Sequence, residues 1–289
     1  MSPRTSLRQQ IEIVQAPNLA SIPWLVHGFS TRRGGFSEAY GGGALNLGYT
    51  ADDLRETVNR NRAAFVKQLG ASGWPLVVVR QFHSDLIWLV PGEHPPAGDG
   101  LLTGDESVLL TVRTADCHPI LLVDVKKRAV AVLHAGWRGT LKRIAEKGVG
   151  EMRRWFGSRP EDLRAAIGPG IQGCCYEVGE EVREQFQSQF AYADRLFTVT
   201  KESDAIHERY PLLFLTARAP GHSESLLPVK IRLDLVTANR RQLLAAGLRP
   251  RQISRSPLCT FCRRDLLFSH RADKGVTGRM MAVVGIRPR

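Results

Sequence analysis

The pattern of apolar and polar positions predicts a buried hairpin in the middle of the chain. An apolar run extends from Ile120 to Val132 and is interrupted only at Asp124 and at residues 126–128, which are Lys-Lys-Arg. This pattern predicts two buried strands joined by a tight basic turn. If Val125 and Arg128 face each other, His134 lies opposite Pro119. Because side chains alternate along a strand, Cys117 and His134 should then meet at one end of the hairpin.

In the rest of the chain, segments whose apolar residues have helical periodicity follow segments typical of strands. Strands outnumber helices, and many neighbouring elements are joined by short links. This combination favours a mixed α+β fold over a strictly alternating parallel sheet. Asp52 or Asp53 should cap the first helix. We predict helices over 52–69, 140–156, 178–190 and 233–246, and strands over 76–82, 86–90, 107–112, 163–167 and 280–286.

Length and composition are those of a globular protein. The 289 residues are 43% hydrophobic and 24% charged. No apolar run reaches the roughly 20 residues that span a bilayer, and Met1–Gln15 lacks the apolar segment of a secretory signal. Five cysteines, two of them adjacent, do not form a disulfide framework in a chain of this size. We therefore expect a cytoplasmic protein with no membrane partner.

The net charge narrows the range of partners. A formal charge of +12 and a pI near 10 favour anionic partners. The basic residues occur as scattered pairs, and aromatic residues make up only 7% of the chain. A nucleic-acid groove needs aromatic side chains interleaved with basic ones. The composition therefore does not favour nucleic acid as the partner.

Cys117 and His134 suggest two kinds of chemistry. A thiolate beside an imidazole can act as a nucleophile with its base, or the two can share a metal ion. A catalytic zinc site needs three protein ligands, and His83, at the end of a predicted strand, is the best third candidate. Spacing alone does not select this trio, since a lone cysteine is usually a small buried hydrophobe.

A second pattern of metal-ligand type lies near the C-terminus. Cys259 and Cys262 have the spacing of half a structural zinc site, but no second pair of ligands is evident. With His222-Ser223-Glu224 they also approach the signature of zinc nucleobase deaminases, H-x-E followed by P-C-x-x-C. Leu258 stands between the proline and the cysteine, so this match is off by one residue.

A series of motifs from about residue 25 to the C-terminus resembles the YfiH family, which is also called the laccase-domain or multicopper polyphenol oxidase-like family. The motifs occur in the order of the family. They are Ser30-Thr31-Arg32-Arg33-Gly34-Gly35, Leu45-Asn46-Leu47-Gly48, Asn59-Arg60, Gln81-Phe82-His83, Ala115-Asp116-Cys117-His118-Pro119-Ile120, His134-Ala135-Gly136-Trp137-Arg138-Gly139, Ile167-Gly168-Pro169-Gly170-Ile171, Cys175-Tyr176-Glu177-Val178 and Thr277-Gly278-Arg279.

The resemblance implies a fold and an organisation. It implies two mixed β-sheets packed with outer helices, in α/β/β/α layers. Residues 25–289 would form a single catalytic domain behind an N-terminal extension, 1–24, and residues 199–229 would be a loop insertion. Ser84 stands where the family usually has glycine, which could narrow the pocket beside His83.

The resemblance also implies an activity. The family is regarded as a purine nucleoside phosphorylase that also deaminates adenosine and cleaves methylthioadenosine, with His83, Cys117 and His134 as its metal ligands. Zinc is the expected ion and copper the alternative. The partners would be purine nucleosides and phosphate, and the protein a monomer or small homo-oligomer. For this reaction we expect substrate contacts from Asn46, Arg138, Tyr176 and Arg271.

Three other functions remain open at this stage. One is a hydrolase with Cys117 as nucleophile and His134 as base. Another is copper-dependent phenol oxidation, although multicopper sites need many histidines and the chain has eight, mostly isolated. The third is a basic RNA-binding module without catalysis, which would bind RNA in a strongly salt-dependent way.

Overall fold

The computed structural model describes residues 10–90, 97–201 and 229–289. These residues belong to two compact units, one from 1–172 and 235–289 and the other from 173–234. Within the described parts of the chain, no helix is both long enough and apolar enough to cross a bilayer.

The first sheet of the larger unit has five strands. Its order is β1-β2-β15-β7-β4, and the pairs are antiparallel except for the parallel pair of β4 with β7. The strands are β1 (Ile13–Val14), β2 (Leu25–Ser30), β4 (Leu76–Val78), β7 (Leu109–Thr114) and β15 (Met280–Ile286). The short strand β3 (Arg33–Ser37) bridges to Ala44 beside this sheet.

The second sheet of the larger unit has six strands in the order β14-β10-β8-β9-β6-β5. Both outer pairs are parallel, and the three inner pairs are antiparallel. The strands are β5 (Ile87–Leu89), β6 (Gly100–Thr103), β8 (His118–Asp124), β9 (Ala129–Ala135), β10 (Leu163–Ile167) and β14 (Ile253–Arg255).

Alternation along the strands builds three apolar layers. Val112 and Ala282 of the first sheet and Val132 of the second belong to the layer between the sheets. The opposite face of the first sheet packs against α1 (Arg55–Gln68), and that of the second against α3 (Ile144–Phe156) and α5 (Leu235–Ala245). The predicted α+β fold of two mixed sheets with outer helices is thus confirmed.

The N-terminal residues that the structure describes are part of this core. Ile13 and Val14 form an edge strand on β2, with Ile13 opposite Ser30. Leu19 is fully buried in the layer between the sheets. Part of the predicted extension therefore completes the first sheet.

The first two predicted helices begin differently in the structure. Helix α1 is capped by Leu54, without a side-chain hydrogen bond, because the carboxylate of Asp53 accepts hydrogen bonds from Ser37 and Asn46 instead. The helix predicted over 140–156 is divided into α2 (Trp137–Leu141) and α3, since Arg143 adopts a left-handed conformation with φ 64°.

The smaller unit contains a three-stranded sheet in the order β11-β13-β12 and the helix α4 (Glu180–Gln189). The strands are β11 (Glu177–Val178), β12 (Phe197–Lys201) and β13 (Val229–Leu233). The predicted helix over 178–190 is α4, which begins two residues later because Val178 is in a strand. The predicted insertion overlaps β12 and β13 at its ends, and its residues 202–228 lie outside the described residues.

Candidate metal centre

The hairpin of β8 and β9 has the predicted register. Pro119 is paired with His134, so His134 points from the end of β9 towards the residue that precedes β8. That residue is Cys117, and the sulfur and the imidazole approach each other at the open end of the hairpin. The predicted turn, with Val125 opposite Arg128, was therefore sufficient to place these two side chains together.

His83 reaches the same place from a strained loop. Its backbone has φ 64°, a left-handed conformation that is uncommon for a residue with a Cβ. The loop is stabilised because the backbone N–H groups of His83 and Ser84 donate hydrogen bonds to Asp99, over 3.1 and 2.6 Å. The Ser84 hydroxyl donates to the same carboxylate at 2.7 Å. Asp99 therefore holds His83 in position.

The three side chains form a compact group of possible metal ligands. One donor atom from each of His83, Cys117 and His134 lies within 4.8 Å of the other two. The Sγ of Cys117 is 3.8 Å from the Nε2 of His83. A tetrahedral zinc ion with ordinary bond lengths separates its sulfur and nitrogen ligands by roughly 3.5–3.8 Å. The donor set and its spacing therefore fit such an ion.

The cluster has a buried side and an open side. His134 is 4% exposed, Cys117 is half-buried and His83 is exposed. On the inner side the backbone of Gly136 touches the cluster, and a Cβ there would lie 2.8 Å from the sulfur of Cys117. The glycine thus leaves the space that the sulfur occupies, while His83 borders the solvent on the other side.

Asp99 also fixes the orientation of the His134 ring. Its Oδ1 is 2.7 Å from Nδ1 of His134, and both side chains are buried. Burial by itself would raise the pKa of Asp99, but hydrogen bonds from His134 and Ser84 hold it well below its ordinary value. An ionised Asp99 accepts a hydrogen bond from Nδ1–H of His134 and so turns Nε2 towards the other ligands, as in many metal centres.

The charges at Cys117 and His134 are coupled. Burial by itself would raise the pKa of the Cys117 thiol, but the neighbouring charge of His134 and hydrogen bonds from both histidines lower it to about 6. Burial opposes the charged form of His134 too, yet the thiolate and the bond to Asp99 raise its pKa to about 9. The site therefore favours a thiolate, the form of cysteine that binds metal or attacks an electrophile.

Sequence reasoning missed Asp99. It lies directly before β6, where its backbone carbonyl accepts a hydrogen bond from the backbone N–H of His134 at 2.7 Å. The available signal was an acidic residue between two glycines, Gly98 and Gly100, at the start of an apolar strand. Only the pairing of β6 with β9 shows that this carboxylate lies beside His134.

The residues next to the ligands in sequence have structural contacts. His118 is fully buried and its two ring nitrogens lie 3.2 and 2.9 Å from the carbonyl oxygens of Gly168 and Ile171. Asp116 accepts hydrogen bonds from the hydroxyl of Thr260 and the backbone N–H of Arg271. The hydroxyl of Ser84, which we expected to narrow the pocket, is directed at Asp99 instead.

Two of the predicted substrate contacts are arginines, the residue type suited to hold phosphate, and both are connected to segments that carry ligands. Arg138 is exposed on α2, two residues after Gly136, with its guanidinium 4.3 Å from the ring centre of Trp137. Arg271 is exposed, and its backbone is tied to Asp116, the neighbour of Cys117. Their predicted role in holding phosphate stays a prediction.

The other two predicted substrate contacts are placed differently. Asn46 is fully buried, and its side chain bonds to Gly48, Asp53 and the backbone N–H of Arg279, so it holds a loop together. Tyr176 belongs to the smaller unit, where it is half-buried and its carbonyl accepts a hydrogen bond from Leu233. Contact of either residue with a substrate stays a prediction.

The deaminase-like pattern is described only in part. Cys259 is buried and pairs through a β-bridge with Gly170, whereas Cys262 is exposed. His222, Ser223 and Glu224 lie outside the described residues. The role of this pattern therefore stays open.

Comparison with known proteins gives a consistent result. A profile of the family described as "Multi-copper polyphenol oxidoreductase laccase" matches residues 26–287. The chain is 36% identical, over 96% of its length and 93% of the relative's, to a Deinococcus radiodurans protein named purine nucleoside phosphorylase.

Two further comparisons extend this picture. The protein named adenosine deaminase RL5, from an unknown prokaryotic organism, is 35% identical over 85% of this chain and 88% of its own. The crystal structure of the hypothetical protein YfiH from Bacillus licheniformis superposes with a TM-score of 0.77 at 32% identity, covering 91% of this chain and 93% of that one.

Proposed function

We propose that this chain, which belongs to the multi-copper polyphenol oxidoreductase laccase family, is an enzyme that acts as a metal-dependent purine nucleoside phosphorylase. It would convert adenosine, inosine or guanosine and phosphate into the free base and ribose 1-phosphate. The observation that carries the proposal is the convergence of His83, Cys117 and His134 beside an open surface. The names of the relatives supply the substrate class.

We infer that zinc is the resident ion. Two imidazoles and one thiolate make a borderline-soft donor set that suits zinc, with copper as the alternative. Among the residues that the structure describes, only one possible metal group contains histidine. This single site does not support multicopper phenol oxidation.

The protein's own groups have distinct tasks in this proposal. A bound divalent ion would supply Lewis acidity at a position not taken by protein ligands. Asp99 keeps the proton of His134 on Nδ1, which directs Nε2 to the ion. Phosphate attacks C1′ of the ribose as the bond from C1′ to the purine nitrogen breaks, and Arg138 and Arg271 would hold the phosphate by charge-assisted hydrogen bonds.

The same centre would support the two related reactions. Deamination of adenosine replaces the amino group at C6 with oxygen from water and releases ammonia. Cleavage of methylthioadenosine is phosphorolysis of the same bond with a different 5′ substituent. The resemblance to the adenosine deaminase RL5 supports the first of these reactions.

The direct test is conversion of inosine and phosphate to hypoxanthine by the purified protein. We expect turnover by wild type, loss on removal of metal by a chelator, and recovery when zinc is restored. Cys117→Ser should lose activity and metal together, whereas Gly150→Ala should retain both, because a methyl group at Gly150 meets no atom within 4 Å. Full turnover by Cys117→Ser would refute the proposal.

A cysteine hydrolase is the second candidate, because the lowered pKa of Cys117 also suits a nucleophile. The presence of two imidazoles near the sulfur, with Nε2 of His83 3.8 Å from it, favours a metal, since a nucleophile needs only one base. The two functions differ in one measurement. A hydrolase keeps its activity after removal of metal and forms a covalent adduct on Cys117, whereas the phosphorylase does neither.

A further inference from the structure

Three arginines from separate segments meet on the outer face of the five-stranded sheet. Arg62 comes from α1, Arg113 from β7, and Arg279 directly precedes β15. Because Val112 faces the layer between the sheets, Arg113 points to the opposite face, against which α1 packs. The pairing of Arg113 with Met281 places Arg279 next to it.

Hydrogen bonds fix two of these arginines to one loop. The Nε of Arg62 donates to the carbonyl of Leu47 at 2.9 Å, and the backbone N–H of Leu47 donates to the carbonyl of Arg279 at 2.9 Å. The side chain of Arg279 lies against Gly48, where a Cβ would approach it to 2.6 Å. The arginines are therefore held in place by the fold and are not loose surface side chains.

The cluster lacks negative charge. Within the described residues, no carboxylate forms an ion pair with Arg62, Arg113 or Arg279, and Nη2 of Arg62 and Nε of Arg113 are buried without a hydrogen-bond partner. All three side chains are half-buried. Burial lowers the pKa of Arg62 and Arg113, and the charge of Arg113 lowers that of Arg62 further. The arrangement is thus electrostatically unfavourable when no anion is present.

An aromatic ring forms the outer wall of the cluster. Tyr49 is 39% exposed, and its ring centre lies 4.1 Å from the guanidinium carbon of Arg62 and 4.4 Å from that of Arg55. Its hydroxyl donates to Asn59. The ring stacks on the guanidinium of Arg62, and its exposed part lies at the surface beside the cluster.

We propose that Arg62, Arg113 and Arg279 form a binding site for a phosphate-class anion. Arginine is the residue whose planar fork of donors matches phosphate oxygens, and a half-buried position strengthens each of these bonds. A bound phosphate would neutralise the mutual repulsion and supply acceptors for donors that are without partners. The site uses none of the residues of the metal centre, so the proposal does not depend on the proposed reaction.

The test combines thermal unfolding with titration of anions, at constant ionic strength set with chloride. The probes are inorganic phosphate and ribose 5-phosphate, since the anion could be free or carried by a sugar. Wild type is compared with Arg113→Gln and with Arg154→Gln, which removes the same charge from an exposed position on α3. Arg113→Lys, which keeps the charge but not the planar fork, serves as a second variant.

We expect both probes to raise the Tm of wild type and of Arg154→Gln by mass action. Arg113→Gln should bind phosphate at least about tenfold more weakly, as for the loss of one charge-assisted hydrogen bond. Without anions it should be at least as stable as wild type, because one repelling charge is gone. Arg113→Lys should bind with intermediate affinity. Tighter binding of ribose 5-phosphate than of phosphate would identify a sugar phosphate as the ligand of the site. Equal binding would identify free phosphate as the ligand.

Two results would overturn the proposal. One is a wild-type protein whose stability responds to phosphate and to ribose 5-phosphate no more than to chloride. The other is a pair of Arg113 variants that lose stability in anion-free buffer but keep the full response to phosphate. That second pattern would show that the arginines serve the fold alone.

Discussion

Substitution of Gly136 by alanine tests the geometry of the metal centre most directly. The backbone at Gly136 has φ −78° and ψ 177°, an extended conformation that alanine adopts without strain. The added methyl group would lie 2.8 Å from the sulfur of Cys117 and 3.1 Å from Cδ2 of His83. The change therefore acts on the two ligands and leaves the backbone preference unaffected.

The size of the effect follows from these distances. Non-bonded carbon atoms in good contact lie about 3.5–4.0 Å apart, so the sulfur must move by roughly 1 Å. Metal sites tolerate ligand errors of only about 0.2 Å, and a 1 Å misplacement at a reacting centre costs about 100-fold in rate. We expect zinc affinity and kcat/KM to fall by about 100-fold. Overpacking should lower the free energy of unfolding by only about 1–3 kcal/mol.

Three measurements on one preparation separate these effects. Urea unfolding reports stability, titration of the metal-free protein with zinc reports affinity, and hypoxanthine formation reports turnover. Gly150→Ala is the matched control, because it adds the same methyl group within α3 where no atom lies within 4 Å. It should keep wild-type affinity and activity, with a gain in stability of about 0.5–1 kcal/mol.

The reasoning is refuted if Gly136→Ala folds with wild-type zinc affinity and turnover. That result would mean that neither the sulfur of Cys117 nor the ring of His83 needs its present position. If Gly136→Ala and Gly150→Ala lost zinc affinity and turnover equally, the conclusion would be the same. An effect shared by both substitutions would come from replacing a glycine and not from displacing the ligands.

Three further predictions concern the same unit. Asp99→Asn offers one acceptor oxygen in place of two. Zinc affinity should therefore fall 10–100-fold, and the free energy of unfolding by about 1–3 kcal/mol. An unchanged zinc affinity would contradict the role of Asp99 in orienting His134. When a chelator lowers the free zinc concentration, the Tm should fall in proportion to the logarithm of that concentration. A Tm independent of zinc would exclude a resident ion. Burial lowers the pKa of His27 to about 4, and Nε2 of its ring accepts a hydrogen bond from the backbone N–H of Ala16. Because the unfolded chain then binds more protons between pH 6.5 and 4, stability should fall by about 2–3 kcal/mol from pH 7 to pH 4.5, and by less in His27→Gln.

The sequence by itself was sufficient for the local structure and for two of the three ligands. The apolar run 120–132 predicted two buried strands, and the pairing of Val125 with Arg128 across the tight turn predicted the register that β8 and β9 have. That register placed His134 beside Cys117. The helix ends at Gly157 and Gly247 were likewise visible, since both glycines adopt positive φ where the helix stops.

The sequence was less informative where tertiary contacts compete with local preference. Asp53 is a good helix cap by type, yet its carboxylate accepts hydrogen bonds from Ser37 and Asn46, and α1 begins without it. Arg143 interrupts a stretch with continuous helical spacing. For Asp53, contacts with distant segments outweigh a local preference of about 1 kcal/mol for capping.

The parts of the sites that involve distant segments were decided by the tertiary structure alone. Asp99 carries no motif, and only the pairing of β6 with β9 brings its carboxylate to His134. In the sequence Arg62 and Arg113 carry no motif and Arg279 only ends the motif Thr277-Gly278-Arg279. Only the packing of α1 on the first sheet brings the three together, with no carboxylate among the described residues paired to them. Periodicity describes which face of one element a residue occupies, whereas the neighbours of that face depend on how the elements pack.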